Sequence, residues 1–158
     1  MVFDRARLNQ YVIGLATYLY RIGARLQGDQ HVEVDETTGW LRLSVVGVLP
    51  GPAEVNVDEH WEPAGRGRWR RAGYLYDLID HERRRRRAFH WHDAGWFVRY
   101  HQVAVHEHCE EVLGTAVCPH YAGLPIASAH EGIDRLLAAW VSPDPLGCAD
   151  LLCLKSSN

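Results

Sequence analysis

Two short motifs hold the side chains most able to do chemistry. His90-Trp91-His92 and His106-Glu107-His108 each place two imidazoles two residues apart. On a β-strand, residues i and i+2 point to one face, so each motif presents a pair. If the two segments lie on neighbouring strands, up to four imidazoles converge. Neutral imidazole ligates Zn, Ni, Cu and Fe, so His90, His92, His106 and His108 could hold a transition metal. Imidazole also titrates near neutral pH, so the same residues could form an acid–base site. The plain alternative is a solvent-facing sheet with no chemistry. Histidine is abundant throughout: there are 10, eight of them between His81 and His130.

A basic run adds a second theme. Nine Arg fall between Arg66 and Arg87, against three acids, Asp77, Asp80 and Glu82, although the whole chain has a net charge of −3. Arg83, Arg84, Arg85, Arg86 and Arg87 read either as a solvated hairpin turn or as a phosphate-steering edge for RNA. Trp69, Tyr74, Tyr76 and Trp91 lie among the basic residues, and flat aromatics either fill a core or stack unpaired bases. Glu59, inside VDEHW, alternates with Val57 and Trp61 and so shares their core-facing side. A carboxylate there is costly unless it meets Arg or His. A Glu–His–Arg cluster suits a metal-independent ribonuclease. One group deprotonates the 2′-hydroxyl, another protonates the leaving oxygen, and a cation stabilises the phosphorane. Cys118-Pro119-His120 sets a thiol near an imidazole without an oxyanion-hole motif. The sequence has no phosphate-cradling Gly-rich loop, zinc-ribbon spacing or HExxH.

These residues need elements to position them. Asp4 can cap a helix. Leu8, Val12, Leu15, Leu19, Ile22 and Leu26 then form one apolar stripe, which predicts a helix over about 4–27, stopped by Gly28. From Gln30 onward the pattern alternates, broken by turns at Thr37-Thr38-Gly39 and Pro50-Gly51-Pro52. Arg68 to Asp80 reads as a long strand with Trp69, Gly73, Leu75 and Asp77 opposite Arg70, Tyr74 and Tyr76. Glu82 to Arg87 reads as the turn, Ala88 to His92 as the returning strand, and WFVRYHQVAV as one more strand. Ser128 and Glu131 form a capping box that opens a helix over about 128–141. The expectation is an α+β fold: an antiparallel meander of about 5–6 strands with an N-terminal and a C-terminal helix packed on it. A single domain over 1–158 is expected, with the β-rich body over about 30–108.

Composition sets outer limits. With 158 residues, 47% hydrophobic and 23% charged, the chain is neither collagen-like, a coiled-coil rod, a disordered tail nor a disulfide miniprotein. A run of about 18 apolar residues is missing, so a transmembrane helix is not expected. MVFDRARLNQ is not followed by an apolar stretch, so neither is a signal peptide. The four Cys form no CxxC, which predicts reduced thiols in the cytoplasm. A pI near 6.3 argues against a general nucleic-acid coat protein.

The order YLYDLID, a turn, AFHWHD, a spacer and HQVAVHEHCE resembles the TumE-like toxins of bacterial toxin–antitoxin pairs. Tyr74 and Tyr76 match that family's Tyr-x-Tyr strand. Trp91 and Asp93 match its aromatic-Asp segment, and His106 and His108 its closing His-rich strand. Glu59 matches the Glu that closes the preceding strand. His90 stands where the family prefers Arg, and Ala94-Gly95-Trp96 replaces a proline and double-His element. The similarity covers about residues 30–110. It implies a growth-inhibiting protein acting on RNA, held by a cognate antitoxin, with Tyr76 and Asp93 among the site residues.

The combined expectation is a cytoplasmic, metal-independent endoribonuclease of toxin type that needs no cofactor. His106 and His108 would be acid and base, with Glu59 assisting. Arg70, Arg99 and Arg83–Arg87 would bind phosphate, with Trp91 beside them. RNA and an antitoxin are the expected partners; homodimerisation is open, and no membrane is involved. Two alternatives stand. One is a non-catalytic binding module using the Arg-rich hairpin and the N-terminal helix. The other is a metalloprotein built on His90, His92, His106 and His108.

Overall fold

The computed structural model describes residues 1–35, 37–91, 104–114, 118–121 and 123–148, with only the backbone described at 29–31 and 118–121. The elements run β1 (Val2–Asp4), α1 (Arg5–Arg21), β2 (Arg25–Val34), β3 (Leu41–Leu49), β4 (Ala53–Pro63), β5 (Arg68–Asp80), β6 (Arg85–Trp91), β7 (Val105–Glu110), β8 (Cys118–Tyr121) and α2 (Ala129–Trp140). Strands β2 to β8 pair antiparallel in chain order, and β1 pairs with the start of β5. The fold is α+β, as the pattern predicts, but the sheet has eight strands rather than five or six. β1 and β8, at three and four residues, are too short to show a period.

Both helices cover one face of the sheet. Asp4 caps α1, its Oδ1 accepting from the Arg7 N–H at 2.8 Å. Leu8, Leu15 and Leu19 are fully buried against Leu43, Val45, Val57 and Trp61. The apolar stripe of α1 is therefore core; it is not left for a partner. Burying each such side chain stabilises the fold by about 1.5–3 kcal/mol. The helix stops at Arg21, earlier than the stripe suggests, because Gly23 adopts φ +85° and turns the chain into β2. Leu26 then faces Gly47 from a neighbouring strand. The helix lies close to the sheet there: a Cβ on Gly47 would sit 3.3 Å from Ala24 Cβ and 3.6 Å from Leu19. Ser128 caps α2 by accepting from the Glu131 N–H, as expected, while the Glu131 carboxylate accepts from the N–H of Ala127, one residue before the cap, rather than from Ser128 itself.

Two departures matter for the site. Across β4–β5, His60 faces Gly73 but Trp61 faces Arg71, so Ala72 is an extra residue. This bulge flips the alternation of β5. Trp69 and Arg71 before it, and Tyr74 and Tyr76 after it, share the helix-covered face. The turn is also shorter than expected, with β6 beginning at Arg85 rather than Ala88. Most of the predicted strand WFVRYHQVAV lies outside the described residues, which show a strand over Val105–Glu110. Finally, Cys109 of β7 and Cys148 beyond α2 are joined in a disulfide, their Cα atoms 5.9 Å apart. That corrects the expectation of reduced thiols for this pair. The segment after α2 folds back over the sheet, where Arg85 pairs with Asp144 and donates to the Pro145 carbonyl at 3.0 Å.

Candidate active site: a histidine cluster beside a cavity at the sheet bulge

The two His-x-His segments do meet. β6 and β7 are neighbours, and His90 lies directly opposite His106. His108, two residues along β7, points to the same face, away from the helices. Ring centroids are 5.1 Å apart for His90 and His106, 4.3 Å for His90 and His108, and 4.6 Å for His106 and His108. One nitrogen from each ring lies within 4.8 Å of the others. His106 is fully buried, and the other two are half-buried. His92, Asp93 and Arg99 lie outside the described residues, as do the side chains of Cys118 and His120.

His90 also lines a cavity of about 1030 Å³ that opens at the β5 bulge. β1 flanks β5 only at Arg68–Arg70 and β6 only from Tyr74 onward, which leaves a gap at Arg71–Gly73. At this gap Gly73 approaches the Trp91 carbonyl so closely that a Cβ would stand 2.7 Å from its oxygen. Trp40, Trp91, Tyr74 and His60 give the cavity flat walls, and Arg42, Arg70 and Arg71 give it cations. Arg42 pairs with Asp58 and Arg70 with Glu62; the two Arg side chains are 54% and 63% exposed, their carboxylate partners only 15% and 28%.

Glu59 and Tyr76 are not part of the histidine cluster. Glu59 points to the helix-covered face, fully buried, as its alternation with Val57 and Trp61 requires. There it meets Arg71 at 3.0 Å, accepts from Tyr11 at 3.0 Å and Trp61 at 3.2 Å, and accepts from the Tyr76 hydroxyl. Arg71 donates further to Tyr76 at 2.6 Å and to the Ile126 carbonyl. Burial raises the Tyr76 and Tyr11 hydroxyls well above their ordinary range, and the Glu59 charge adds to the effect. Tyr74 stacks flat on Tyr76, and Arg71 lies over the Tyr74 and Trp91 rings at 5.1 and 5.9 Å. Arg71 thus belongs both to this buried network and to the cavity wall. The sequence shows Arg71 only as one of many Arg, and its role depends on the bulge that turns it inward.

The Arg-rich run is mostly committed to the fold. Arg83 pairs with Asp80, Arg85 with Asp144, Arg86 with both Asp77 and Glu110, and Arg87 with Glu107. Arg84, exposed at the turn with φ +54°, has no ion pair among the described residues. The Asp77–Arg86–Glu110 set lies on the histidine face next to His108. Burial pushes Asp77 above its ordinary value, against the pull of Arg86. Glu110 is held below its own: burial opposes this, but the Gly114 N–H and Arg86 outweigh it.

No protein-family model, curated protein or solved structure matches the chain. Among the described residues, no helix is long and apolar enough to cross a membrane.

Proposed function

We propose that the protein cleaves RNA through its histidine cluster, as the toxin of a bacterial toxin–antitoxin pair would. The observation that supports this reading is the convergence of His90, His106 and His108 at the edge of a cavity with aromatic and cationic walls. One imidazole takes the proton of a 2′-hydroxyl, whose oxygen attacks the adjacent phosphorus. A second gives its proton to the departing 5′-oxygen, leaving a 2′,3′-cyclic phosphate and a 5′-hydroxyl. On this reading Arg42 and Arg70 on the cavity wall would attract the flanking phosphates, and Trp40 and Trp91 would stack single-stranded bases. On this reading the step needs no metal. Glu59, Tyr76 and Arg71 act from the far side of the sheet as the rigid backing of the Tyr74–Trp91 wall. RNA as substrate sets the place of action in the cytoplasm, where an antitoxin protein would restrain it.

Induced expression in bacteria tests the reading. Wild type should arrest growth with loss of RNA integrity, and the His106→Ala/His108→Ala variant should do neither at equal soluble expression. Arrest by both, or by neither, contradicts it.

A further inference from the structure

We propose that His90, His106 and His108 form a binding site for one transition-metal ion of the Zn²⁺ class. The backbone brings the three rings together. His90 and His106 face each other across an antiparallel pair, and His108 follows two residues later on the same face. Strand pairing therefore fixes three imidazoles on one spot. Around a tetrahedral ion with Zn–N bonds of about 2.05 Å, ligand nitrogens stand about 3.3 Å apart. The three nitrogens here are all within 4.8 Å of one another, so side-chain rotations that close each gap by about 1.5 Å or less complete the set.

The donor chemistry selects the ion. The described donor set is three imidazoles, which suits Zn²⁺, Co²⁺, Ni²⁺ or Cu²⁺ better than Mg²⁺ or Ca²⁺, which prefer oxygen ligands. Full burial of His106 restricts its rotamers before any ion arrives, so ordering the site costs little entropy. Of the three, His90 alone lines the cavity, and its ring is the side from which an ion would enter. The consequence rests on the RNA-cleavage reading above: an ion bound to these nitrogens occupies the lone pairs that accept the proton. Metal occupancy would then silence cleavage and metal removal would release it.

The test uses the full chain, stripped with a chelator and titrated with Co²⁺ and then Zn²⁺. One Co²⁺ per chain should bind with the visible absorption of a tetrahedral nitrogen site, and Zn²⁺ should displace it. His90→Ala and His108→Gln, each removing a direct ligand, should weaken binding by at least about 100-fold, more than the loss of a residue that only orients a ligand, and His81→Ala at the β5–β6 turn should not. His108 is half-buried, so His108→Gln keeps the test valid if His106→Ala fails to fold. Less than about 0.1 ion per chain, or unchanged binding in His108→Gln, overturns the site. RNA cleavage measured in parallel separates the two proposals. Cleavage without metal binding overturns only the metal site, and binding without inhibition overturns only the silencing. Binding with no cleavage under any condition overturns the RNA reading and supports the site.

Discussion

Replacing Glu59 with Gln keeps the shape of the side chain and removes its charge. Glu59 is fully buried and the Arg71 side chain is 5% exposed, so solvent screens neither. Arg71 would remain inside with its charge facing Tyr76 and the Ile126 carbonyl, neither of which is an anion. Breaking one partner of a buried pair costs about 3–5 kcal/mol. For a domain of this length that lowers Tm by roughly 6–20 °C, at about 2–4 °C per kcal/mol. Urea unfolding followed by Trp fluorescence reads the loss as a lower midpoint at unchanged slope. Glu59→Leu with Arg71→Met removes both charges; the Tyr11, Trp61 and Tyr76 donors still lose their acceptor, but in a double-mutant cycle the double variant should cost less than the sum of its two single variants. A Glu59→Gln midpoint shift worth less than about 1 kcal/mol would falsify the account of Glu59 as an inward-facing structural anion.

Three further outcomes follow from the same contacts. Tyr11, Tyr74 and Tyr76 all titrate above the ordinary 10.0 in the folded chain, chiefly because they are buried. Above pH 10 the unfolded chain therefore loses protons that the folded chain keeps. Stability should hold up to about pH 10 and fall beyond it, and Tyr76→Phe should flatten the fall in alkaline urea titrations. Cys148→Ser should cost up to about 4 kcal/mol, the closure entropy of a loop spanning 39 residues, and labelling of Cys109 should require reductant in the wild type only. Arg84→Ala should leave stability unchanged, whereas Arg86→Ala, which leaves Asp77 and Glu110 buried without their cation, should unfold the protein at clearly lower urea.

The sequence reveals what depends on period and caps, and hides what depends on register. Leu8 to Leu19 and the Ser128–Glu131 box announce their helices because side-chain spacing and capping act locally. Val57, Glu59 and Trp61 declare a shared face for the same reason, and the need of Glu59 for a cationic partner follows from burial alone. Which cation it meets does not follow, because one inserted residue, Ala72, reverses the alternation of β5 and turns Arg71 inward. The Arg83–Arg87 run looks like an exposed edge until Asp77 and Asp80 of β5, Glu107 and Glu110 of β7, and Asp144 beyond α2 arrive from three other parts of the chain. Pairing of the two histidine segments is likewise a long-range fact. His90 meets His106 only because β6 and β7 are neighbours in a particular register.

The most direct measurement is cleavage of a fluorescently labelled single-stranded RNA by the purified, chelator-treated full chain, comparing wild type, His108→Gln and His81→Ala. The account predicts cleavage to 2′,3′-cyclic phosphate ends by wild type and His81→Ala, with a loss of at least about 100-fold in His108→Gln, the usual scale for one proton-transfer group. Equal cleavage by His108→Gln, or no cleavage by the folded wild type across a panel of RNAs, would contradict it.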